Sequence, residues 1–517
     1  MSESKTPVSA ATDVEDGEIL DVSDETLATA GVDVKAAHKD KALNLLAHNH
    51  VNFDPNSPEA KRVLRKIDMR ILPMIYGVYL FMLIDKNSMS YAAIMGIKKD
   101  THLTASEYSW LGSLVYFGYL AGDVPAMFLM QHFPLAKVFG IVCMAWGVVE
   151  MLHAACSNFA GLGTLRFFLG FFEVYTAPAA IIIFGSFYTK KEQVTRLTIW
   201  YTCYGFASIF GGFFSWAIYQ ADGFKWQALF IFYGGITSII GGICFLFLAP
   251  SPTDAKWLTE DEKVIALERV RSNKTGTEVW RFNWSQLKEA FLDIRFWIIF
   301  LLDVSLGLPL GGISLFGPTI IANFGFTTSQ STLLNMGSGA ASVVVILIAF
   351  IVAKYTNRTT AGVGVFLLSC VGCVMMLAIP AANYGARYGG YVLSIQFANA
   401  VPFMAALMTA GVSGTTKKFA FTAAYQLGYT VGNFLGPQTY RASDAPNYYT
   451  AKYTMLAFLI LCTLLFASWG LVHKYWNHKR DKQDAVDAQN GVARTHVENE
   501  EFSDLTDWHL RSFRYPT

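Results

Sequence analysis

Twelve long apolar stretches decide what this 517-residue chain is able to fold into. Crossing a hydrocarbon core of about 30 Å takes roughly 20 helical residues. In lipid every backbone N–H and C=O group must be satisfied, which favours helices over isolated strands. The stretches cover residues 71–93, 108–130, 137–157, 161–188, 196–219, 227–249, 294–322, 330–353, 360–380, 388–410, 419–440 and 451–473. The sequence therefore predicts an all-α membrane protein with twelve transmembrane helices.

The low content of charged residues agrees with this prediction. Asp, Glu, Lys and Arg make up 15% of the chain, whereas they supply about a quarter of a soluble globular protein. The sequence shows neither a nucleophile beside a base nor a cluster of metal-ligating residues, so it gives no sign of catalysis. We therefore expect a protein of the lipid bilayer that is not an enzyme, binds no nucleic acid and holds no metal.

A single long polar connection divides the twelve predicted helices six and six. Residues 1–60 are acidic and lack an apolar period, which is typical of a disordered cytoplasmic tail. The sequence predicts an N-terminal six-helix half at 61–249 and a C-terminal half at 294–474. Between them lies a cytoplasmic central loop at 250–293 with charges at helical spacing, and a cytoplasmic C-terminal tail follows at 475–517.

The distribution of Lys and Arg predicts the orientation in the membrane. With both termini in the cytoplasm, 17 of these residues fall in the inner flanks and short loops and 6 in the outer loops. Positive charge concentrates on the cytoplasmic side of membrane proteins. We expect both termini inside.

Four charged residues in two of the spans are the main candidates for function. Asp85 and Lys86 lie in the first span, and Arg166 and Glu173 lie in the fourth. A charge near the bilayer centre costs at least about 2.5–3.5 kcal/mol. Arg166 and Glu173 are seven residues apart and share a helix face, and a rise of about 1.5 Å per residue puts Asp85 and Arg166 at nearly one depth. We expect all four side chains to face one cavity.

These residue types favour proton-coupled anion transport. Lys86 and Arg166 are suited to bind a substrate carboxylate. Asp85 and Glu173, while ionised, compete with that carboxylate for the two cations. Protonation of the two acids removes that competition, so proton binding and anion binding favour each other. The alternative is that the four groups neutralise one another as structural pairs, although buried pairs contribute little net stability.

Other polar residues and glycines receive secondary roles. Asp123, close to Pro125 in the second span, is predicted to act in gating or to anchor a helix end, and Asp303 is a possible cavity residue. Glu150 and His153 are expected to form a solvated pair near the outer surface. The substrate-binding candidates of the second half are neutral, and a ridge of small residues predicts close and movable helix contacts: Asn335, Gln426 and Asn433 for binding, and Gly428, Gly432 and Gly436 for the ridge.

Several motifs resemble one transporter family. The segments "LIDKNSMSYAAIMG", "YSWLGSLVYFGYLAGDVP", "LRFFLGFFEVYTAP" and "FSDLTDWHLRSFRY" are similar to fungal allantoate permease-like members of the anion:cation symporter family, within the major facilitator superfamily. The resemblance implies two six-helix halves around a central site with alternating access. It also implies coupling and anion-binding roles for an acid–base pair in the first span and an Arg and Glu in the fourth, which here are Asp85, Lys86, Arg166 and Glu173.

The expected function is proton-coupled uptake of a small carboxylate across the plasma membrane. The family's substrates include allantoate, ureidosuccinate, nicotinate, pantothenate and biotin, and the sequence does not choose among them. We expect a monomer with no cofactor other than the coupling protons. Two alternatives stay open: an efflux transporter of organic acids or drugs, and a nutrient sensor with little flux.

Overall fold

The computed structural model describes residues 57–221, 223, 225–271, 282–489, 505–510 and 513–516. These residues form helices joined by short connections, without a strand among them. The predicted disordered tail at 1–60 lies outside the described residues except for its last four positions.

The N-terminal half contains six helical spans, of which two are interrupted. They are α1 at Pro58–Met95, α2 at Ala105–His132, α3 at Leu135–Leu152, α4 at Phe159–Glu173 and Thr176–Phe187, α5 at Lys190–Tyr201 and Cys203–Gln220, and α6 at Lys225–Phe247.

The C-terminal half repeats this number of spans. They are α7 at Ile294–Ala322, α8 at Thr328–Tyr355, α9 at Arg358–Ala378, α10 at Tyr384–Ser394 and Val401–Gly411, α11 at Thr415–Leu435, and α12 at Tyr449–Gln489.

Ten of the described helices are long and apolar enough to cross a membrane. The other two spans, α5 and α11, are helical and overlap the predicted stretches 196–219 and 419–440. The first segment of α5, Lys190–Tyr201, and the first turn of α11 are rich in polar residues. Large apolar side chains remain exposed on the outside of the bundle, among them Ile239, Ile351 and Leu464, as expected for a surface that faces lipid. The predicted all-α membrane fold is confirmed.

Helix starts follow from local sequence. Thr104 and Glu107 form a capping box at the start of α2, and Thr327 and Gln330 form another at the start of α8. In each box the Thr hydroxyl accepts a hydrogen bond from the backbone three residues on, while the longer side chain binds the Thr N–H. Both helices therefore begin where the sequence changes from a polar turn to an apolar run.

The central loop is divided between the two halves. Its first helix, Glu260–Arg271, contacts α1 through Lys66 Nζ and Glu262 Oε2 at 2.6 Å. Its second helix, Trp284–Leu292, contacts α11 through Glu289 Oε1 and Lys417 Nζ at 2.7 Å. We call this side of the bundle the loop end.

Hydrogen bonds between the halves concentrate at the end opposite the loop. Tyr108 of α2 donates to the Leu315 carbonyl of α7 at 2.7 Å. Trp216 of α5 donates to the Ser329 hydroxyl of α8 at 3.1 Å. The two halves are thus joined mainly at the end of the bundle opposite the loop end.

The predicted glycine ridge packs within one half and not between the halves. A side chain at Gly428 would meet the Phe300 carbonyl oxygen of α7 at 2.6 Å, and Gly432 and Gly436 approach the α7 backbone in the same way. These glycines let α7 and α11 approach closely. The nearest described neighbours of all three glycines lie in α7 of the same half, and movement at this surface stays a prediction.

A glycine contact that does join the halves lies elsewhere. Gly205 of α5 and Gly339 of α8 approach each other's backbone, and a side chain at Gly205 would meet the Gly339 carbonyl oxygen at 2.7 Å. The α5 and α8 backbones therefore touch across the interface between the halves.

The C-terminal tail folds back onto the loop end. After α12 continues to Gln489, Asp507 in the tail pairs with Arg295 at 2.6 Å and with Lys417 at 2.8 Å. Arg295 and Lys417 also contact Asp293, at 2.5 and 3.1 Å. We call Glu289, Asp293, Arg295, Lys417 and Asp507 the anchor cluster. Burial raises the pKa of Asp507, but Arg295 and Lys417 lower it more, so its pKa lies below the usual value.

Candidate functional site

Two small cavities lie between the halves, and Lys86 lines both. The larger, of about 70 Å³, is bounded by α1, α5, α7, α8 and α10. The smaller, of about 20 Å³, contains Lys86, Arg166 and Glu173 in its wall, together with residues of α2 and α7. A cavity needs about 10–15 Å³ to hold one water molecule, so this conformation encloses room for a few waters.

Arg166 and Glu173 reach the same cavity because they share one face of α4. Both side chains are 2% exposed. The first segment of α4 ends at Glu173, and Pro178 follows in the next turn. Proline lacks the N–H that would bind the carbonyl of Val174 and its ring crowds that carbonyl, so the chain breaks helical geometry directly after the acid.

Lys86 projects from α1 into a ring of tyrosines. Its Nζ donates to the Tyr429 hydroxyl of α11 at 3.1 Å. The ammonium also lies 5.1 Å from the ring centre of Tyr116, 5.8 Å from that of Tyr119 and 5.3 Å from that of Tyr429, which are cation–π distances. An ammonium has three donors, so this one keeps capacity for an anion in either cavity.

Arg166 is buried with few partners. Among the described residues, its hydrogen bond is the one from Nη2 to the Ser88 hydroxyl at 3.5 Å, the limit of a useful contact. Its Nε has no partner there, and neither does Oε1 of Glu173. These groups retain unsatisfied hydrogen-bonding capacity at the cavity.

Asp85 differs from the expected arrangement. It is fully buried and its Oδ2 accepts from the Thr237 hydroxyl of α6 at 2.9 Å. It is not among the residues that line either cavity. Adjacent residues on a helix point about 100° apart. The side of α1 that carries Asp85 packs against α6, and the side that carries Lys86 faces the cavities. The expectation of one shared cavity thus holds for Lys86, Arg166 and Glu173 and not for Asp85.

The neutral candidates of the C-terminal half also separate. Asn335 lines the larger cavity and donates to the Tyr91 hydroxyl at 2.6 Å. Asn433 accepts from the Tyr116 hydroxyl at 2.9 Å and donates to the Tyr429 carbonyl at 2.8 Å, so it joins the halves. Gln426 lines neither cavity. Of the three, Asn335 is the one that lines a cavity.

The remaining membrane acids lie away from the cavities. Asp123 is half-buried in the half of α2 nearer the loop end. Asp303 is buried against α11, and its carboxylate has no hydrogen-bond partner in the described part of the chain.

Glu150 and His153 are buried, so the expected solvated pair is wrong. Both side chains are fully shielded from solvent, and the His153 ring stacks on Phe230 of α6 at 5.1 Å between ring centres. Their position along α3 predicted a location near the outer surface. It did not predict that α6 packs over them, because that depends on tertiary structure.

The tyrosines around Lys86 were missed by sequence reasoning. Tyr116 and Tyr119 are three residues apart on α2 and face the same side, which is the signal that their spacing offered. Tyr429 carried no comparable signal, because its contact with Lys86 joins positions far apart in the chain.

A helical membrane protein whose two halves enclose a small cavity lined by charged side chains has the architecture typical of a membrane transporter. Residues 75–437 match the sequence profile of the Major Facilitator Superfamily. The chain belongs to that superfamily, which confirms the resemblance drawn from the motifs.

Curated relatives cover most of the chain. It is 33% identical to the Thiamine pathway transporter THI73 of Saccharomyces cerevisiae, over 91% of this chain and 89% of that protein. It is 32% identical to the allantoate permease of the same yeast, over 89% of this chain and 87% of the permease. These relatives are transporters, so the prediction that the protein is not an enzyme is confirmed.

Solved structures agree on the fold. A bacterial homolog to the human lysosomal transporter Spinster, in an inward-facing conformation, aligns with a TM-score of 0.57 at 15% identity, covering 80% of this chain and 97% of that chain. A D-xylose–proton symporter aligns with a TM-score of 0.57 at 12% identity, covering 77% and 96%.

Proposed function

We propose that this transporter takes up a small organic anion together with protons, by alternating access in the plasma membrane with both termini in the cytoplasm. The observation that carries the proposal is the smaller cavity, where two cations and one titratable acid meet between the halves. A carboxylate placed there contacts the Lys86 ammonium and the Arg166 guanidinium. No cofactor beyond the protons enters this scheme, and one chain supplies both halves.

Glu173 couples the proton to the anion in this scheme. While ionised, it competes with the substrate carboxylate for Lys86 and Arg166. Protonation of Glu173 removes the competition, and a bound proton and a bound anion then stabilise each other. Asp85 acts on Arg166 from the other side, without contact with the substrate.

The membrane potential requires such coupling for uptake. At 100 mV, inside negative, moving one elementary charge is worth about 2.3 kcal/mol. A monoanion that enters alone moves against this potential, whereas one proton makes the step electroneutral and two make it favourable.

Alternating access needs the contacts between the halves to break and reform. Lys86 in one half donates to Tyr429 in the other. An anion that binds Lys86 competes with this hydrogen bond, so substrate binding weakens a link that holds the halves in their present arrangement.

The test is uptake of labelled carboxylates by cells at acidic pH, with and without a protonophore. The panel begins with allantoate, because a relative is an allantoate permease, and continues with ureidosuccinate, nicotinate, pantothenate and biotin. We expect accumulation of at least one of them that the protonophore abolishes. Export against the gradient would instead favour an efflux transporter, and signalling without accumulation would favour a sensor.

Glu173→Gln separates coupling from binding. We expect this variant to accumulate less of the anion in a proton gradient, because it lacks the proton that Glu173 carries, and to keep counterflow exchange, because Gln resembles a permanently protonated Glu. Loss of both activities at normal surface abundance would contradict a coupling role and assign Glu173 to substrate binding or to the fold.

A further inference from the structure

Glu150, near the end of α3, is a buried carboxyl that the proposed mechanism leaves unused. Its side chain is fully buried, and neither carboxylate oxygen has a hydrogen-bond partner among the residues that the structure describes. Most buried polar side chains in proteins are hydrogen-bonded, and an ionised carboxylate without a partner is strongly disfavoured away from water. A proton on Glu150 removes this unfavourable charge.

Acidic and basic groups face Glu150 from α1 and α4. Asp85 of α1 interacts with it electrostatically, and Oδ1 of Asp85 also lacks a hydrogen-bond partner within the described residues. Arg166 and Glu173 of α4 both interact with these acids: at Glu150 the interaction with Arg166 is the stronger, and at Asp85 the interaction with Glu173 is the stronger. The Ser88 hydroxyl lies between these groups, since it contacts Arg166, donates to the Asp85 carbonyl at 2.7 Å and is close enough to Glu150 to interact with its carboxyl group.

Two more titratable groups complete the surroundings. Nδ1 of His153 lies 3.9 Å from Oε2 of Glu150, while the same nitrogen contacts the Val149 carbonyl at 2.9 Å. Tyr233 of α6 interacts electrostatically with Glu150 and Asp85, and its hydroxyl donates to the Gly211 carbonyl at 2.9 Å. Neither group supplies Glu150 with a full positive partner at a hydrogen-bond distance.

Arg166 stands between the substrate cavity and these acids. Its side chain lines the smaller cavity, whereas Asp85 and Glu150 are not among the lining residues of either cavity. The guanidinium therefore serves two sets of negative groups. An anion that binds Arg166 in the cavity brings a negative charge, which offsets the stabilisation that Arg166 gives to ionised Asp85 and Glu150. The affinity of these two acids for protons therefore rises.

The balance of charge fixes how many protons this region requires. Two cations, Lys86 and Arg166, share the region with three acids, Asp85, Glu150 and Glu173. With all five groups ionised the net charge is negative by one, and a monoanion makes it negative by two. Two protons neutralise the loaded site, and when both leave with the anion the empty site returns with all five groups ionised, so one cycle moves two protons per anion.

We propose that Glu150 is a proton-binding site of the transport cycle, which with Asp85 takes up a proton when an anion binds to Arg166 and releases the proton when the anion leaves. This inference rests on the proposed function of proton-coupled anion uptake. It raises the number of protons carried with a monoanion from one, at Glu173, to two.

The experiment measures how many protons accompany each anion in proteoliposomes that contain the full chain. Reversal potentials are recorded with the labelled carboxylate that the uptake panel identifies. For the wild type we expect two protons per monoanion and uptake that increases with an inside-negative potential. For Glu150→Gln we expect one proton per monoanion and loss of the voltage dependence, with counterflow exchange retained.

Asp303→Asn is the matched control. Asp303 is also a fully buried carboxyl without a hydrogen-bond partner in the described residues, but it lies in the other half, away from Lys86 and Arg166. We expect this variant to keep the wild-type proton number. A reduced proton number in both variants would show a general effect of removing buried acids and would overturn the specific role of Glu150.

An unchanged proton number and voltage dependence in Glu150→Gln would also overturn the inference. If Glu150→Gln does not reach the membrane, the test is a comparison of infrared spectra of the Glu173→Gln variant with and without the bound anion. A protonated-carboxyl band that grows when the anion binds supports the second proton site, and its absence contradicts it. If wild-type uptake needs no proton gradient, the proposed function itself fails, and this result is distinct from both.

Discussion

Two groups of buried charged side chains in this protein differ in how fully they are satisfied. In the anchor cluster, Arg295 pairs with Asp293 and Asp507, and Lys417 pairs with Glu289 as well as with both of these acids. In the membrane part of the N-terminal half, Arg166 has one weak hydrogen bond within the described part of the chain, to Ser88. The charges are of similar kind, but their pairing is opposite.

This difference indicates a structural role for the anchor cluster and a ligand-binding role for Arg166. The anchor cluster ties together the loop helix Trp284–Leu292, the starts of α7 and α11 and the C-terminal tail, so its charges are used up in holding these elements. A buried charge without a full partner lowers stability, and strained or unsatisfied groups persist mainly where function requires them. Arg166 therefore keeps its charge available to a ligand.

The largest expected effect contrasts Arg166→Ala with Arg295→Ala. Arg166→Ala should abolish anion transport and counterflow. The variant should still reach the surface, because the neighbouring acids are able to take up protons once the arginine is removed. Arg295→Ala should lower surface abundance, since breaking a buried ion pair costs about 3–5 kcal/mol. Surface labelling and uptake, measured on the same cells, distinguish the two outcomes.

Arg166→Lys serves as the control for charge, because it keeps the cation but loses the bidentate fork. Poor surface abundance of Arg166→Ala, matching that of Arg295→Ala, would break the comparison and show that Arg166 holds the fold.

The next effect, on stability, depends on pH. Asp507→Asn should destabilise the protein by about 3 kcal/mol at neutral pH, the lower end for one partner of a buried pair. Because the folded pKa of Asp507 is depressed, its contribution is present above the unfolded value of about 3.9 and is lost as pH falls through the folded pKa. Thermal unfolding of the purified protein should therefore show a constant difference above about pH 5 that shrinks below about pH 4.

A wild-type advantage that persists unchanged to the most acidic pH would contradict the pairing of an ionised Asp507. The Lys66–Glu262 pair offers the control, since it is partly exposed and such pairs contribute only about 0–1 kcal/mol. Lys66→Met should barely change the unfolding temperature.

The sequence predicted the helices because hydropathy and length record burial in lipid directly. It also predicted that Arg166 and Glu173 share a face, since helical spacing alone determines this. It failed for Asp85, because which neighbour covers each side of α1 depends on where α6 packs. The expected solvated pair of Glu150 and His153 failed for the same reason, since depth along α3 does not reveal that Phe230 covers the His153 ring.

The anchor cluster lay beyond sequence reasoning for a different reason. Arg295 and Asp507 are separated by more than 200 residues, and no local period links them. The glycine ridge of α11 was recognised correctly as a close-packing surface, but a spacing of four residues does not name the partner. That partner proved to be α7, in the same half.

The smallest expected effects come from two neutral side chains, one in contact with each group. Thr506 donates to Glu289 Oε2 at 2.8 Å and is buried, and a hydrogen bond to a charged group contributes about 1.5–3 kcal/mol. Thr506→Val should lower the free energy of unfolding by about that amount without changing the affinity for the anion.

Ser88→Ala is the matched change in the N-terminal half and should have the opposite signature. The contact of Ser88 with Arg166, at 3.5 Å, is too long to stabilise the fold appreciably, so the unfolding temperature should stay within the error of the wild type. Arg166 loses a group that orients it, so the KM for the anion should rise a few-fold. Should Ser88→Ala instead unfold as readily as Thr506→Val, the two groups would share a structural role, and the contrast between a satisfied anchor and an unsatisfied site would not hold.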